Sequence, residues 1–414
     1  MNRKRLKILL GCYACDPGFG SEPGMGWNFV SNIAKHHEVH AIVEEGEFKA
    51  NLTQYASQHP EEVQNITFHF IPRTHHETLR KIWPPSYYWF YRNWNKRAYK
   101  LAVKLDKEEH FDIVHQITLA GFREPGYLWK LGKPFIWGPI GGFSQTAWCL
   151  LKGTGLHSLV YFGMRNILNT LQKRFGYAGR TVAPYAHTIL VSDSQGMKDV
   201  STLWKKTPVH MLEVGTPAET LPDITPSRTP ESPLRICWAG QLIPLKALEL
   251  LLHAIHLCRE KNIHLDVLGK GENLKKWQNL TIQLGLGNRV TFHGYVEHGH
   301  ALEMMKKCHI FCHTSIKEGG TGTVILEALQ CGLPIIALDH CGHAAVVDDS
   351  CGIKIPIQSR KQIVRDLAEQ IDRLADNEEL RHTLAMGASA RGRFFSWEEK
   401  MKQLNQIYDS AVSS

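Results

Sequence analysis

No apolar run in this 414-residue chain approaches the roughly 20 residues that a bilayer-spanning helix needs, which excludes a helical membrane span. The run 6–10, behind Arg3, Lys4 and Arg5 and ahead of Gly11-Cys12, imitates a lipoprotein processing site but is too short for a signal core. It reads instead as a first buried strand. Paired cysteines are lacking as well: ten are scattered along the chain, several inside apolar runs. Neither Cys12/Cys15 nor the group His340, Cys341, His343 and Cys351 has a second pair at finger spacing, so zinc and a disulfide framework are both disfavoured. The pattern is that of reduced thiols in the cytoplasm. There is no Asp-x-Asp to hold a divalent metal, and no RNA- or DNA-binding module is legible. The net charge of +8 fits an anionic ligand, a membrane surface or a nucleic acid about equally well.

What is present is a long alternation of strands and helices. With 414 residues, 43% of them hydrophobic, the chain exceeds one ordinary core and suits two domains of roughly 200 residues. Strands are expected at 6–11, 39–43, 66–71, 113–116, 135–137, 188–192 and 209–213, with a Gly/Pro-rich loop over 16–26 and a helix over 27–35. A second set is expected at 234–239, 264–268, 290–293, 310–313 and 334–338, with a helix at 247–260. Five prolines among Ser, Thr and Asp in 216–233 mark a linker. The order is βαβ throughout, so the class is α/β: two Rossmann-like domains with parallel sheets. The expected boundaries are a first domain 1–217, a linker 218–233, a second domain 234–392 and a terminal helix 393–414.

The most informative segment is Glu318-Gly-Gly-Thr-Gly-Thr-Val-Ile-Leu-Glu327. Its glycines allow a ligand to approach the backbone, and the N–H groups that open the following helix, around Thr323 to Ile325, form an anion site. Glu318 and Glu327 repel a phosphate and accept hydroxyls instead. Anion-binding amides beside hydroxyl-binding carboxylates suit a nucleotide sugar. The apolar strands on either side make a βαβ unit, which places the loop at the carboxyl edge of a parallel sheet, where such sheets bind ligands.

This segment resembles the signature of the retaining glycosyltransferases called family 4, in which two acidic residues with seven between them flank a glycine loop. Here Glu327 matches the second, and the first acidic residue, Glu318, stands one position early. The resemblance implies the GT-B architecture, two such domains facing a cleft with the last helix crossing back. It implies a donor site of Gln241, Lys246, Gly269, Tyr295, Val296, Gly320, Thr321, Gly322, Thr323, Val324 and Glu327, with Gly20 from the first domain. Family members carry an arginine where this chain has Gln241; Lys246 keeps the second cation, and its charge stabilises the departing diphosphate. His115, Lys246 and Glu318 are the catalytic candidates, with His115 also readable as a core histidine. In the implied mechanism the leaving diphosphate deprotonates the acceptor, so no metal is required.

The acceptor side is expected in the first domain, near Asp16-Pro-Gly-Phe-Gly-Ser-Glu-Pro-Gly-Met-Gly-Trp27 and Trp137-Gly-Pro-Ile-Gly-Gly142. The three glycines of the former do not follow the dinucleotide pattern. Aromatic and basic residues crowd 80–97, and a second mixed segment covers 155–175. Both suit a lipid headgroup boundary, and both also read as helices packed on a core. The partners are therefore a nucleotide-sugar donor, a glycan or lipid-linked glycan acceptor, and a membrane face through 80–97, with no nucleic acid. The expected location is cytoplasmic, at the inner face of the cell membrane. The function implied is hexose transfer in surface polysaccharide assembly. The alternatives are a nucleotide-sugar epimerase of the same fold and a non-catalytic relative that binds a glycan or nucleotide.

Overall fold

The computed structural model describes residues 5–74, 82, 86–119, 121–151, 156–217, 227–229, 231–318 and 320–413, without the side chains of His157 and Ser158. Most of the expected linker 218–233, and much of 80–85, lie outside the described residues. The chain forms two compact units: Met1–Phe143, Thr170–Val214 and Lys400–Ser414 make unit 1, and Ser144–Asn169 with Gly215–Glu399 make unit 2. The segment 144–169 thus packs with the second unit although it lies within the range expected for the first domain.

In unit 1 the described strands are β1 (Lys7–Gly11), β2 (Glu38–Glu44), β3 (Ile66–Ile71), β4 (Ile113–Gln116), β5 (Phe135–Ile140), β6 (Ala186–Val191) and β7 (Val209–His210). They form one parallel sheet in the order β3-β2-β1-β4-β5-β6-β7. Central strands such as β1, with Ile8, Leu9 and Leu10 fully buried, are apolar on both faces because helices cover both sides.

Two expectations in this unit change. The stretch 16–26 is helical from Ser21, within Ser21–Ala34, so Gly24 and Gly26 sit inside a helix. A Cβ on Gly26 would come within 2.0 Å of the Ala14 carbonyl, and one on Gly24 within 2.2 Å of the Phe19 carbonyl. Their bareness serves close packing of helix on backbone. The aromatic segment 80–97 enters the helix Ser86–Glu109, whose Phe90, Tyr91 and Trp94 are buried. The Trp94 indole N–H donates to the Ile71 carbonyl at 3.1 Å, and Tyr13 packs edge-on against both Tyr91 and Trp94. Much of what read as a lipid-facing patch is core, with Tyr88 and Trp89 left exposed.

Unit 2 holds β8 (Leu234–Ala239), β9 (Ile263–Leu268), β10 (Val290–Gly294), β11 (Ile310–His313), β12 (Ile335–Leu338) and β13 (Gly352–Ile355), all parallel, in the order β10-β9-β8-β11-β12-β13. β13 lies beyond the strands expected from the sequence, and pairing with β12 from Ile335↔Gly352 to Leu338↔Ile355 defines it. The helices Leu248–Leu257 and Arg360–Asp376 bury Leu251, Ile255, Ile363 and Leu367 on this sheet, each contributing about 1.5–3 kcal/mol. The helix Trp397–Ser413 starts in unit 2 and runs into unit 1, where Leu404 and Tyr408 are fully buried.

Candidate active site

The order of the second sheet reverses between β8 and β11, which are neighbours in space although 70 residues lie between Ala239 and Ile310. The loops leaving their carboxyl ends therefore meet at the switch point, where a parallel sheet opens a crevice. The β8 loop carries Gly240, Gln241 and Lys246. The β11 loop carries Thr314, Glu318 and the glycines.

Side chains lock the two loops together. The Trp238 indole N–H donates to Thr314 Oγ1 at 3.0 Å, and that hydroxyl donates to the Lys246 carbonyl at 2.8 Å. The Ile316 N–H reaches the Leu245 carbonyl at 2.9 Å. So held, the Lys246 ammonium donates to the Glu318 carboxylate, both groups largely buried. His313 Nε2 lies 3.2 Å from the same carboxylate oxygen, so its ring N–H faces the carboxylate. Burial pushes the Glu318 pKa up, but His313 and Lys246 outweigh it and hold the carboxyl at about 2. Glu318 is an ionised counter-ion tucked under the loop.

The glycine loop above is shaped by close contacts. Gly322 has φ +82° and is the first residue before the helix Thr323–Gln330, with no side chain to cap its open N–H groups. A Cβ on Gly342 would fall 2.6 Å from the Gly320 carbonyl and 2.7 Å from Thr321 Cα, so that turn presses directly on the loop. Beneath lie polar atoms with no hydrogen-bond partner among the described residues: Thr321 Oγ1 and both ring nitrogens of His343. The His313 and His343 rings meet edge to face at 4.8 Å. Burial lowers both pKa values, so the rings are neutral and can donate as well as accept. Orphaned buried groups cost about 1–3 kcal/mol each, a cost that a polar ligand would remove.

Glu327 lies one turn inside the helix, partly exposed, with His298 Nε2 at 3.4 Å. Burial raises its pKa, and His298 opposes the rise. On the β9 side, Gly269 has φ +139°, and a Cβ there would meet the Gly240 carbonyl at 1.9 Å. The Leu242 N–H also donates to the Lys270 carbonyl at 3.0 Å, so the β8 and β9 loops pack backbone on backbone. Tyr295 follows β10 and is exposed, with the Lys270 ammonium 4.9 Å from its ring centre. Gln241 is exposed beside Gly240, and Val296 follows Tyr295.

In unit 1, Gly20 precedes the helix Ser21–Ala34 in open space. Next to that helix start, a cavity of about 180 Å³ is lined by residues that include Tyr13, Glu22, Glu47, Arg73, Tyr87 and Tyr91. Its lining includes residues that follow the carboxyl ends of β1, β2, β3 and β4: Tyr13, Glu47, Arg73 and Leu119. Glu22 accepts from the Leu119 N–H at 2.5 Å, and burial raises its pKa.

His115 is placed otherwise than a catalytic role needs. It is fully buried in unit 1, its Nε2 donating to the Gly138 carbonyl at 2.6 Å and its Nδ1 accepting from the Tyr408 hydroxyl at 2.7 Å. Burial lowers its pKa to about 4, so it is a neutral core histidine with both nitrogens used. The cysteine- and histidine-rich segments do not converge either: His340 bonds the Gln145 carbonyl, Cys341 Sγ accepts from the Glu318 N–H, and Cys351 Sγ donates to the Asp348 carbonyl. His343 entered the sequence reading only as a candidate metal ligand, and His313 and Thr314 were not singled out. Their one signal is a polar run, His-Thr-Ser, closing an apolar strand.

Comparison with known proteins agrees with this geometry. Residues 222–391 match the family described as glycosyl transferases group 1. An uncharacterized glycosyltransferase of Methanocaldococcus jannaschii is 28% identical over 187 residues, 44% of this chain and 46% of that protein. A D-inositol 3-phosphate glycosyltransferase of Stackebrandtia nassauensis is 30% identical over 213 residues, 48% of this chain and 47% of that protein. The chain spans about half the length of the curated relatives it matches. The fold extends further: the lipopolysaccharide outer core galactosyltransferase WaaB superposes with a TM-score of 0.66 at 16% identity, covering 98% of this chain and 99% of its own. Anabaena HepE, solved with UDP, superposes at 0.60 and 15% identity, covering 98% and 100%.

Proposed function

We propose, from the match of residues 222–391 to the family described as glycosyl transferases group 1 in a chain with the GT-B fold, a retaining glycosyltransferase that moves a hexose from a UDP- or GDP-linked donor to a glycan acceptor. The observation that carries the reading is the Lys246–Glu318 pair at the switch point, beneath a glycine loop lined by unpartnered polar atoms.

In this reading the donor diphosphate sits on the open N–H groups of Thr323 and Val324, and Lys246 leaves Glu318 to meet it. The bond between the sugar C1 and the diphosphate oxygen breaks, and Lys246 and the helix start stabilise the charge that develops there. An acceptor hydroxyl forms the new bond to C1 on the same face, and its proton passes to the departing diphosphate oxygen. Glu318 keeps the ammonium in place before the donor arrives, and Glu327 accepts donor hydroxyls. Gln241 adds neutral hydrogen bonds, and the backbone of Tyr295 and Val296 borders the base.

The unit 1 cavity, with Glu22, Glu47 and Arg73 among aromatic rings, offers carboxylates and stacking faces for an acceptor glycan. A lipid-linked glycan in surface polysaccharide assembly, on the cytoplasmic side of the membrane, accords with free thiols throughout the described residues. UDP is the first nucleotide to test, because HepE is solved with it.

The test is thermal unfolding with UDP, GDP and their hexose conjugates. Ligand at a hundred times its Kd stabilises the native state by about 2.7 kcal/mol. One nucleotide series is expected to raise Tm, and Glu327→Ala to abolish most of the rise; a full rise in that variant overturns the assignment. Sugar epimerisation in the absence of any acceptor would show an epimerase instead.

A further inference from the structure

The helix Leu156–Phe175 is built inside out. Over its 20 residues, about 30 Å, Leu156, Val160, Met164, Ile167, Leu171 and Phe175 recur at helical spacing, and all are exposed, from 48% at Leu171 to 77% at Leu156. The opposite side is polar and buried, with Asn166, Asn169 and Lys173 no more than 6% exposed. Asn166 exchanges two hydrogen bonds with the Thr146 backbone, at 3.1 and 2.8 Å. The Lys173 ammonium donates to Asp199 at 2.5 Å and to the Phe143 carbonyl at 3.3 Å. These bonds fix the rotation of the helix, so the apolar stripe cannot turn inward without stranding them.

A surface helix in water normally shows the reverse arrangement. Its surroundings indicate what the stripe meets. No Asp or Glu occurs between Glu124 and Asp193, while Arg165, Arg174 and Arg180 are exposed. The Arg174 and Arg180 guanidinium groups lie 5.7 and 5.6 Å from the Phe175 ring centre, at one end of the stripe. An apolar stripe with exposed arginines and no acidic residue on its own helix matches acyl chains beneath anionic headgroups. Pairing with a second copy would set these arginines against one another without a counter-charge. No helix among the described residues is long and apolar enough to cross a membrane.

We propose that Leu156–Phe175 docks this protein on an anionic lipid bilayer, lying in the interface with its stripe among the acyl chains and Arg165, Arg174 and Arg180 on lipid phosphates. The proposal stands apart from the transfer reaction, and its test reads binding alone. The purified chain is sedimented with phosphatidylcholine vesicles, with and without phosphatidylglycerol. Binding is expected to the anionic vesicles and to weaken with salt. The double variant Met164→Glu/Ile167→Glu, at exposed positions that leave the fold intact by circular dichroism, is expected to lose binding at least tenfold. Arg165→Ala and Arg174→Ala are each expected to lose about fivefold, the equivalent of about 1 kcal/mol per basic residue at such a surface. Failure of the folded wild-type chain to bind anionic vesicles, or unchanged binding by the variants, overturns the proposal. So does a lipid-free dimer, by light scattering, that the double variant dissolves.

Discussion

Lys246 and Glu318 neutralise one another in a confined space, and this makes their neighbourhood sensitive to pH and to mutation. The folded Glu318 pKa of about 2 lies below the roughly 4.3 of an unfolded glutamate. Its contribution to stability is therefore fully present above about pH 4.3 and lost as pH falls toward 2. Lys246→Met removes the charge partner and is expected to cost about 3 kcal/mol at pH 7, with the deficit shrinking toward pH 3 as the stranded carboxyl protonates. Urea unfolding at pH 7, 5 and 3.5 measures this, and a deficit independent of pH would refute it. The same variant is expected to lower kcat by about 10²–10³-fold. Lys400 has the opposite shift for a base: burial lowers its pKa to about 7, although it donates to the Leu212 and Val214 carbonyls at 2.7 and 2.6 Å. The unfolded chain binds that proton more tightly, so this residue makes stability rise with pH between about 7 and 10, by up to about 1.4 kcal/mol per unit. Lys400→Met is expected to flatten the slope relative to the wild type. The sequence singled out Lys246 and Glu318 by their places in motifs; their mutual bond was illegible, because only the sheet order brings them together. His115 shows the converse, since its place at a strand end said nothing about the Tyr408 hydroxyl waiting there.

At the scale of elements, the glycines divide into those that shape the site and those that merely turn the chain. Gly269 combines φ +139° with a backbone oxygen where a Cβ would sit, whereas Gly285, at φ +67°, faces open space. Gly269→Ala is expected to cost about 4 kcal/mol or more and to weaken nucleotide binding, because the β8 and β9 loops must part. Gly285→Ala is expected to cost only about 1 kcal/mol and to leave binding unchanged. Denaturant midpoints and nucleotide titrations of the two variants test the contrast. Strands and helices with strong periodicity were legible. The helix Leu156–Phe175 was legible as amphipathic, but which face is covered was not, since period alone has no sign. Gly24 and Gly26 misled for a related reason: a bare backbone signals close approach, and here the approaching group is protein.

At the scale of the molecule, unit 1 is completed by the last residues of the chain, with Leu404 and Tyr408 in its core. A chain ending at Glu399 is expected to leave His115 Nδ1 without its hydroxyl and unit 1 prone to aggregate, although every residue of the candidate donor site in unit 2 remains. Solubility and the thermal response to UDP of this truncation read the two effects separately; a soluble product with a cooperative transition for unit 1 would refute the expectation. Sequence by itself determined the class, two parallel α/β sheets, because alternating apolar strands and amphipathic helices have few ways to bury their faces. It also determined the loop types, because glycine and the helix start fix what a backbone can offer. Tertiary structure alone decided which polar groups found partners. Lys246 met Glu318 and His115 met Tyr408 across 72 and 293 residues of chain, while the ring nitrogens of His343 were left open. A hydrogen bond depends on ångström-scale placement of two groups, and no periodicity along one strand or helix records where another element will put the second.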